Sequence, residues 1–321
     1  MGHALLVHHA ANRKHSYPPN SLRALRACLE AGAQIVEVDV TPLADGAFAL
    51  LHDAQLEEGT DSHGQTVRCT ADQICCLHYV WRGVVTDEPV GLLSQAVSLI
   101  GGFPPPLRPS SAAQAPVLGG ASASSKALLQ ELQLDLKPHA PLTDAVLSSL
   151  IRVVMPVKDR VRVSCVADWA VRRLRALDAD LALGFDPLLY LDVETGEERD
   201  AATPPFRVGA YGYLDDHPLG SRRWGSAADY WAARAEALSA QVPPGVVWYI
   251  RAVLLARALD DGFDWIAALH ARGSQVDAWT LDVDEPGHVS LARRLVAAGV
   301  DRITTNDAPR LAAALGGDAV F

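Results

Sequence analysis

Apolar positions along the chain fall into two rhythms. Residues 5–7 form a short apolar run that stops at His8 and His9, and residues 34–40 (QIVEVDV) alternate apolar with polar. Both patterns predict strands. Between them Leu22, Leu25 and Leu29 recur at helical spacing, with Asn20 or Ser21 as N-cap and Gly32 as stop. A turn is expected over 41–46, a third strand over 47–52 and a helix over 90–99. Further strands are expected over 132–136, 161–165, 181–185, 275–281 and 302–305, with a helix over 288–298. Strands alternating with helices predict a parallel sheet, and about eight such units over roughly 300 residues match a (β/α)8 TIM barrel. A doubly wound open sheet is the competing arrangement, but no GxGxxG or Walker-type glycine loop follows the first strand. Residues 1–321 are read as a single barrel domain, with a flexible Pro/Ser/Ala-rich insertion at 103–125 that holds five prolines.

Composition narrows the picture by exclusion. The balance of 28 basic against 38 acidic residues gives a net charge of -10 with no basic block. Such a surface repels polyphosphate backbones, so no nucleic-acid partner is expected. The five cysteines are odd in number and show no CxxC spacing, which speaks against a disulfide framework or structural zinc. The apolar run at 4–7 is too short for a signal h-region, and no stretch approaches a membrane span. A soluble cytoplasmic protein with no integral membrane segment is expected, its oligomeric state left open.

In a barrel the C-terminal strand ends line the active site. The first strand ends in His8-His9, the second carries Glu37 and Asp39 on one face, and the third ends in His52-Asp53. The strand at 132–136 carries Asp135, followed by Lys137. Neighbouring carboxylates in a barrel interior repel unless a cation lies between them. An all-oxygen set of Glu37, Asp39 and Asp135 favours a hard divalent cation, Mg2+ or Ca2+, over zinc. Histidines beside such a metal suit acid–base work, and Lys137 suits an anionic substrate; together they point to metal-assisted attack at phosphorus. Taken singly, an ExD on a strand is more often solvated or salt-bridged, and Asp135-Lys137 can be a simple ion pair. Their succession at strand ends favours the functional reading. A zinc amidohydrolase barrel would want HxH on the first strand, and His8-His9 are adjacent instead. Trp81, Trp224, Trp231 and Trp248 suit either an apolar entrance or the core.

These motifs resemble the glycerophosphodiester phosphodiesterase family, a (β/α)8 barrel family with HRG, PENT, ExDV and HD signatures. The counterparts here are His8-His9-Ala10, Pro18-Pro19-Asn20-Ser21, Glu37-Val38-Asp39-Val40 and His52-Asp53, in that order. LQLDLKP at 132–138 resembles the family's ExK strand, DAWTLD at 277–282 its WT strand, and GVDRITTNDAPRL at 299–311 its closing segment. The resemblance implies hydrolysis of a glycerophosphodiester to glycerol 3-phosphate and an alcohol. It makes Glu37, Asp39 and Asp135 ligands of a divalent cation, and His8 and His52 the acid/base pair. Lys137, with His9 and Trp279, would contact the substrate. Four positions depart from the family: His9 stands for an arginine, Pro19 for the PENT glutamate, Asp135 for a glutamate, and Glu57-Glu58 where an arginine follows HD. Arg13 and Lys14 are further candidate cations for the phosphate. Alternatives are a lysophospholipase D-like activity on lipid head groups, or a non-catalytic barrel that binds a phosphorylated ligand.

Overall fold

Period-two alternation decides which side chains enter the interior of this protein. In the computed structural model, which describes residues 4–13, 15–103, 129–191, 226–316 and 319–320, the QIVEVDV run becomes the strand Ile35–Pro42. Val36, Val38 and Val40 join the apolar layer under the helices, leaving Ile35, Glu37 and Asp39 on the other face. Eight parallel strands repeat this division: β1 (Ala4–His8), β2 (Ile35–Pro42), β3 (Glu131–Leu136), β4 (Val161–Cys165), β5 (Ala182–Phe185), β6 (Val247–Arg251), β7 (Gln275–Trp279) and β8 (Arg302–Thr305). Each pairs with the next, and β1 pairs with both β8 and β2, so the sheet closes on itself. Helices follow the strands, the first at Leu22–Glu30 with the Ser21 hydroxyl accepting the Ala24 N–H. The fold is the expected (β/α)8 barrel.

Two expectations need correction. The third strand predicted over 47–52 shrinks to Phe48–Ala49, antiparallel to Thr41–Pro42, and lies outside the ring. The reason is connection length: a parallel neighbour needs a crossover of about a dozen residues or more, whereas β2 reverses through a short turn at Asp45-Gly46. Gly46 takes φ +83° there, a conformation open to glycine. His52 therefore comes from a loop, not from the end of a barrel strand. The chain instead builds a second small core from Leu43, Ala49, Leu51, Leu56, Ile74, Tyr79 and Val90. A hairpin of His78–Trp81 and Val84–Pro89 covers it. The second correction is an addition, since β6 has no counterpart among the expected strands. Of the proposed insertion only Phe103 is described; residues 104–125, like Lys14 and Trp224, lie outside the described residues. Trp231 and Trp248 are core residues, packed around Trp265 with ring centroids 6.3 and 6.1 Å away.

The floor of the barrel, at the N-terminal strand ends, is polar. Glu131 accepts from Arg162 Nε at 3.0 Å and from Arg302 Nη1 at 2.5 Å, and Arg302 also reaches Gln275 at 3.3 Å. Burial alone would raise the Glu131 carboxyl, but the two guanidiniums outweigh it and hold it below the ordinary range. Tyr249 crosses the interior above this layer. Gly184 makes room for it, since a Cβ at 184 would run into the Tyr249 ring.

Asp277 sits fully buried beside this layer and accepts the Thr304 hydroxyl at 2.8 Å. Burial pushes its carboxyl up to about 7, against the Thr304 hydrogen bond and the Arg302 charge. The folded state then holds a proton that the unfolded chain releases near the ordinary 3.8. Its contribution to stability falls by about 1.4 kcal/mol per pH unit above that value, and the loss is complete just above pH 7. Asp277→Asn should remove this slope. Urea denaturation of both proteins at pH 5 and pH 8 measures it, and equal slopes would refute the assignment.

Candidate active site

The β2–β3 register sets the centre of the site. Asp39 pairs with Asp135 and Glu37 with Gln133, so carboxylates from two neighbouring strands meet at the C-terminal side of the ring. Glu37, Asp39 and Asp135 each offer an oxygen, and these oxygens lie within 4.8 Å of one another. Asp135 therefore joins the cluster although it is one methylene shorter than the glutamate of the family motif.

Each carboxylate is held differently. Glu37 Oε2 accepts the Ala10 N–H at 2.6 Å. Ala10 takes φ 50° to present that N–H, at the position matching the glycine of HRG. Burial first, then the charges of Asp39 and Asp135, push the Glu37 carboxyl well above the ordinary range. Asp39 accepts from Asn20 Nδ2 at 2.8 Å, while its own N–H donates to Asn20 Oδ1 at 2.9 Å. Asn20, at φ 62°, thus clamps Asp39 by side chain and backbone together. In the sequence Asn20 stands out only as a helix cap and part of the PENT-like motif. Lys137 Nζ bridges Asp135 Oδ2 at 2.6 Å and Asp39 Oδ1 at 2.8 Å. Burial would raise Asp39 and depress Lys137, but their mutual attraction wins in both, holding Asp39 low and the ammonium charged.

The histidines divide. His52 is exposed on its loop, with Nδ1–H on Asp53 Oδ1 at 2.7 Å, and its carbonyl accepts from His139 Nε2 at 2.7 Å. The Asp53 hydrogen bond raises His52 above its ordinary value despite partial burial. His8 is fully buried at the last position of β1, with Nδ1 3.4 Å from the Asn12 carbonyl. Burial, helped by the nearby Arg13 charge, pushes it down to about 4. His9 is half-buried and, like His52, near enough to Asp39 to act on it when protonated. On the strand alternation His9, not His8, follows Val7, which pairs with Ile35 on the carboxylate-bearing face of β2. The structure thus brings His9, His52 and Lys137 to Asp39 and sets His8 beneath the loop that follows β1.

Two further groups end neighbouring strands. Trp279 closes β7, and its buried indole N–H meets no acceptor among the described residues. Arg251 pairs with it in register from the end of β6, the guanidinium 6.0 Å from the ring centroid. Arg251 also acts on Asp186, whose carboxyl is pushed up by burial and by Asp135. Arg251 is absent from the expected site because β6 itself is absent from the expected strands.

Residues 8–108 match the model of the glycerophosphoryl diester phosphodiesterase family. That stretch holds His8, His9, Glu37, Asp39 and His52. The predicted family resemblance is borne out. Glycerophosphodiester phosphodiesterase 1 of mouse is 32% identical over 88 residues, and the human protein 33% over 88. Those 88 residues are 26% of this chain, and the match spans 27% of the length of either relative. In fold the similarity runs the whole length. A phosphodiesterase of Oleispira antarctica in complex with the product sn-glycerol-3-phosphate superposes with a TM-score of 0.62 at 18% identity, covering 98% of this chain and 97% of the other. Glycerophosphodiester phosphodiesterase of Agrobacterium tumefaciens gives 0.56 at 17% identity, covering 98% and 99%. Asp135, Lys137 and Trp279 lie beyond the family match, so their placement rests on the barrel geometry alone. Among the described residues no helix is long and apolar enough to cross a membrane.

Proposed function

We propose that the chain hydrolyses glycerophosphodiesters to glycerol 3-phosphate and an alcohol. The observation that carries this reading is the convergence of Glu37, Asp39 and Asp135 within 4.8 Å beside Lys137, His9 and His52, on a barrel whose first segment matches the family. The donor set fits a hard divalent cation, Mg2+ or Ca2+, because all three ligands are carboxylate oxygens and the buried cluster is short of positive charge. When bound, such a cation neutralises phosphate oxygens. Lys137 adds a fixed positive charge at the same rim and contacts the phosphate. His52, held by Asp53 through Nδ1 and raised toward protonation, donates its other ring proton to the leaving alkoxide. On the family motif His8, kept neutral at pH 7 by burial, takes a proton from the attacking water; its place beneath the loop that follows β1 makes His8→Ala the deciding variant for that role. Trp279 and His9 flank the substrate. The five free thiols suit a reducing, cytoplasmic setting.

The non-catalytic reading has one observation in its favour: Lys137 already pairs with two of the three carboxylates. Divalent-cation titration separates the two, since a purely phosphate-binding barrel would take up no cation at this cluster. The direct test is release of choline or ethanolamine from glycerophosphodiesters with Mg2+, Ca2+ or Mn2+, and its loss on chelation. His52→Ala and His8→Ala should each lower kcat by about a hundredfold or more with the fold intact. A folded protein inert toward a broad panel of diesters would overturn the proposal, and full activity in His8→Ala would remove that residue from it.

A further inference from the structure

The loop after β8 and the segment after β7 hold a hydrogen-bonded chain that leads to His9. Asp282 Oδ2 accepts from Asn306 Nδ2 at 2.7 Å, while Asp282 Oδ1 accepts the Asn306 N–H at 2.8 Å and the Thr305 hydroxyl at 3.1 Å. The Asp282 N–H in turn donates to His288 Nδ1 at 3.0 Å, pinning the segment to the following helix. Beyond Asn306, its Oδ1 lies 2.9 Å from His9 Nδ1.

The polarity of this chain is fixed by chemistry. A carboxylate offers acceptors only, so the amide NH2 of Asn306 must face Asp282 and its oxygen must face His9. An amide oxygen accepts and cannot donate, so His9 Nδ1 must carry the hydrogen. The neutral ring then presents Nε2 as a bare lone pair, and Nε2 has no hydrogen-bond partner among the described residues. Nε2 lies across the ring from Asn306, and the His9 ring is close enough to Asp39 for its protonated form to act on that carboxylate.

We infer that Asp282 and Asn306 are positioning residues that lock His9 as the Nδ1–H tautomer, so that its Nε2 accepts a hydrogen bond from a hydroxyl group of the substrate. This deepens the proposed diester hydrolysis and rests on it for the identity of the substrate. A guanidinium has five donors and no acceptor, so it grips phosphate oxygens. A histidine held in this tautomer does the opposite and selects a hydroxyl donor. The exchange of arginine for His9 thereby shifts recognition at this corner from the phosphate to the glycerol carbon chain beside it. The hydroxyl on the carbon next to the phosphoester is the group it would read.

Two measurements test this. Nitrogen-15 NMR of histidine-labelled protein, with His9 assigned from the His9→Gln variant, should show Nδ1 protonated and Nε2 bare. Asn306→Ala should release that tautomer, and the double variant Asp282→Asn/Asn306→Asp, which again offers an acceptor to Nδ1, should restore it. An Nε2–H ring in the unaltered protein, or a tautomer indifferent to Asn306→Ala, overturns the positioning role even if the protein hydrolyses nothing. For the substrate, kcat/KM is compared between glycerophosphocholine and 3-hydroxypropyl phosphocholine, which lacks the middle hydroxyl. The expected preference is about tenfold for the first, the size of one neutral hydrogen bond. Asn306→Ala should collapse it toward unity and the double variant should recover it. A preference unchanged in Asn306→Ala overturns the hydroxyl assignment. If no diester is turned over, titration of glycerol 3-phosphate against propyl phosphate, read at His9 Nε2, decides the same point. Equal Nε2 shifts with the two phosphates would overturn it.

Discussion

Glu37→Gln is expected to abolish cation binding and nearly all turnover while leaving the protein as stable as before, or more so. The amide oxygen can still accept the Ala10 N–H that Glu37 Oε2 takes at 2.6 Å, so the local backbone keeps its partner. The substitution removes a charge that burial, Asp39 and Asp135 all oppose. Because that carboxyl is raised in the folded state, its ionisation costs stability as pH rises through its folded value, and the neutral amide escapes this cost. The effect on function runs the other way. A hard cation loses one of three charged ligands, and the several kcal/mol it supplies to a phosphoryl transition state correspond to about a thousandfold in kcat/KM. Calorimetric titration with Mg2+ and Ca2+, kinetics and thermal melting at pH 7.5 measure the three consequences. Turnover at the original rate would remove Glu37 from the site, and a markedly lower melting temperature would refute the account of its electrostatics.

Arg302→Met should do the converse, loosening the barrel without altering its chemistry. Arg302 is buried on the floor and pairs with Glu131, which is itself shared with Arg162. Removing one guanidinium leaves Glu131 buried and half-compensated. Breaking a buried pair from one side costs about 3 kcal/mol. Urea denaturation should show this loss, and adding Glu131→Gln should recover part of it. At temperatures where both proteins are folded, kcat should match the original. A loss below about 1 kcal/mol would show that Arg162 alone suffices for Glu131.

How much of the barrel is legible in the amino-acid sequence depends on which strands alternate. IVEVDV over 35–40 has one purely apolar face and one that carries charge, so both the strand and the inward direction of Glu37 and Asp39 can be read from it. LQLDL places Asp135 in the same way. VWYIR over Val247–Arg251 shows no such alternation, because its inward Tyr249 and Arg251 serve a polar floor and a polar mouth. That strand escapes a reading by periodicity, and Arg251 with it. The hairpin return at Phe48–Ala49 is readable in principle from the shortness of the turn before it, yet its apolar neighbours Ala47, Leu50 and Leu51 imitate a ring strand. His8 and His9 cannot be separated by motif matching alone. Their division depends on the turn at His8 and on Asn306, which lies 297 positions away from His9 in sequence. Contacts of that span leave no local pattern.

The second core has a consequence for how such a protein changes over time. Residues 43–92 leave β2, pack around Leu51, Leu56, Ile74 and Tyr79, and return at Gly91 beside Leu50. They are fastened to the rest of the barrel by the Thr41 hydroxyl on the Leu51 carbonyl at 2.8 Å, by the Tyr79 hydroxyl on the Asn20 carbonyl at 3.3 Å, and by Phe48 and Leu50 in the main core. His52 travels with this segment, whereas Glu37, Asp39, Asp135 and Lys137 stay with the ring. On the proposed roles, protonation of the leaving group and charge neutralisation are thus inherited on separate pieces of chain. A contiguous stretch could be swapped between barrels of this kind, altering how the leaving group is met while the carboxylate centre is passed on unchanged.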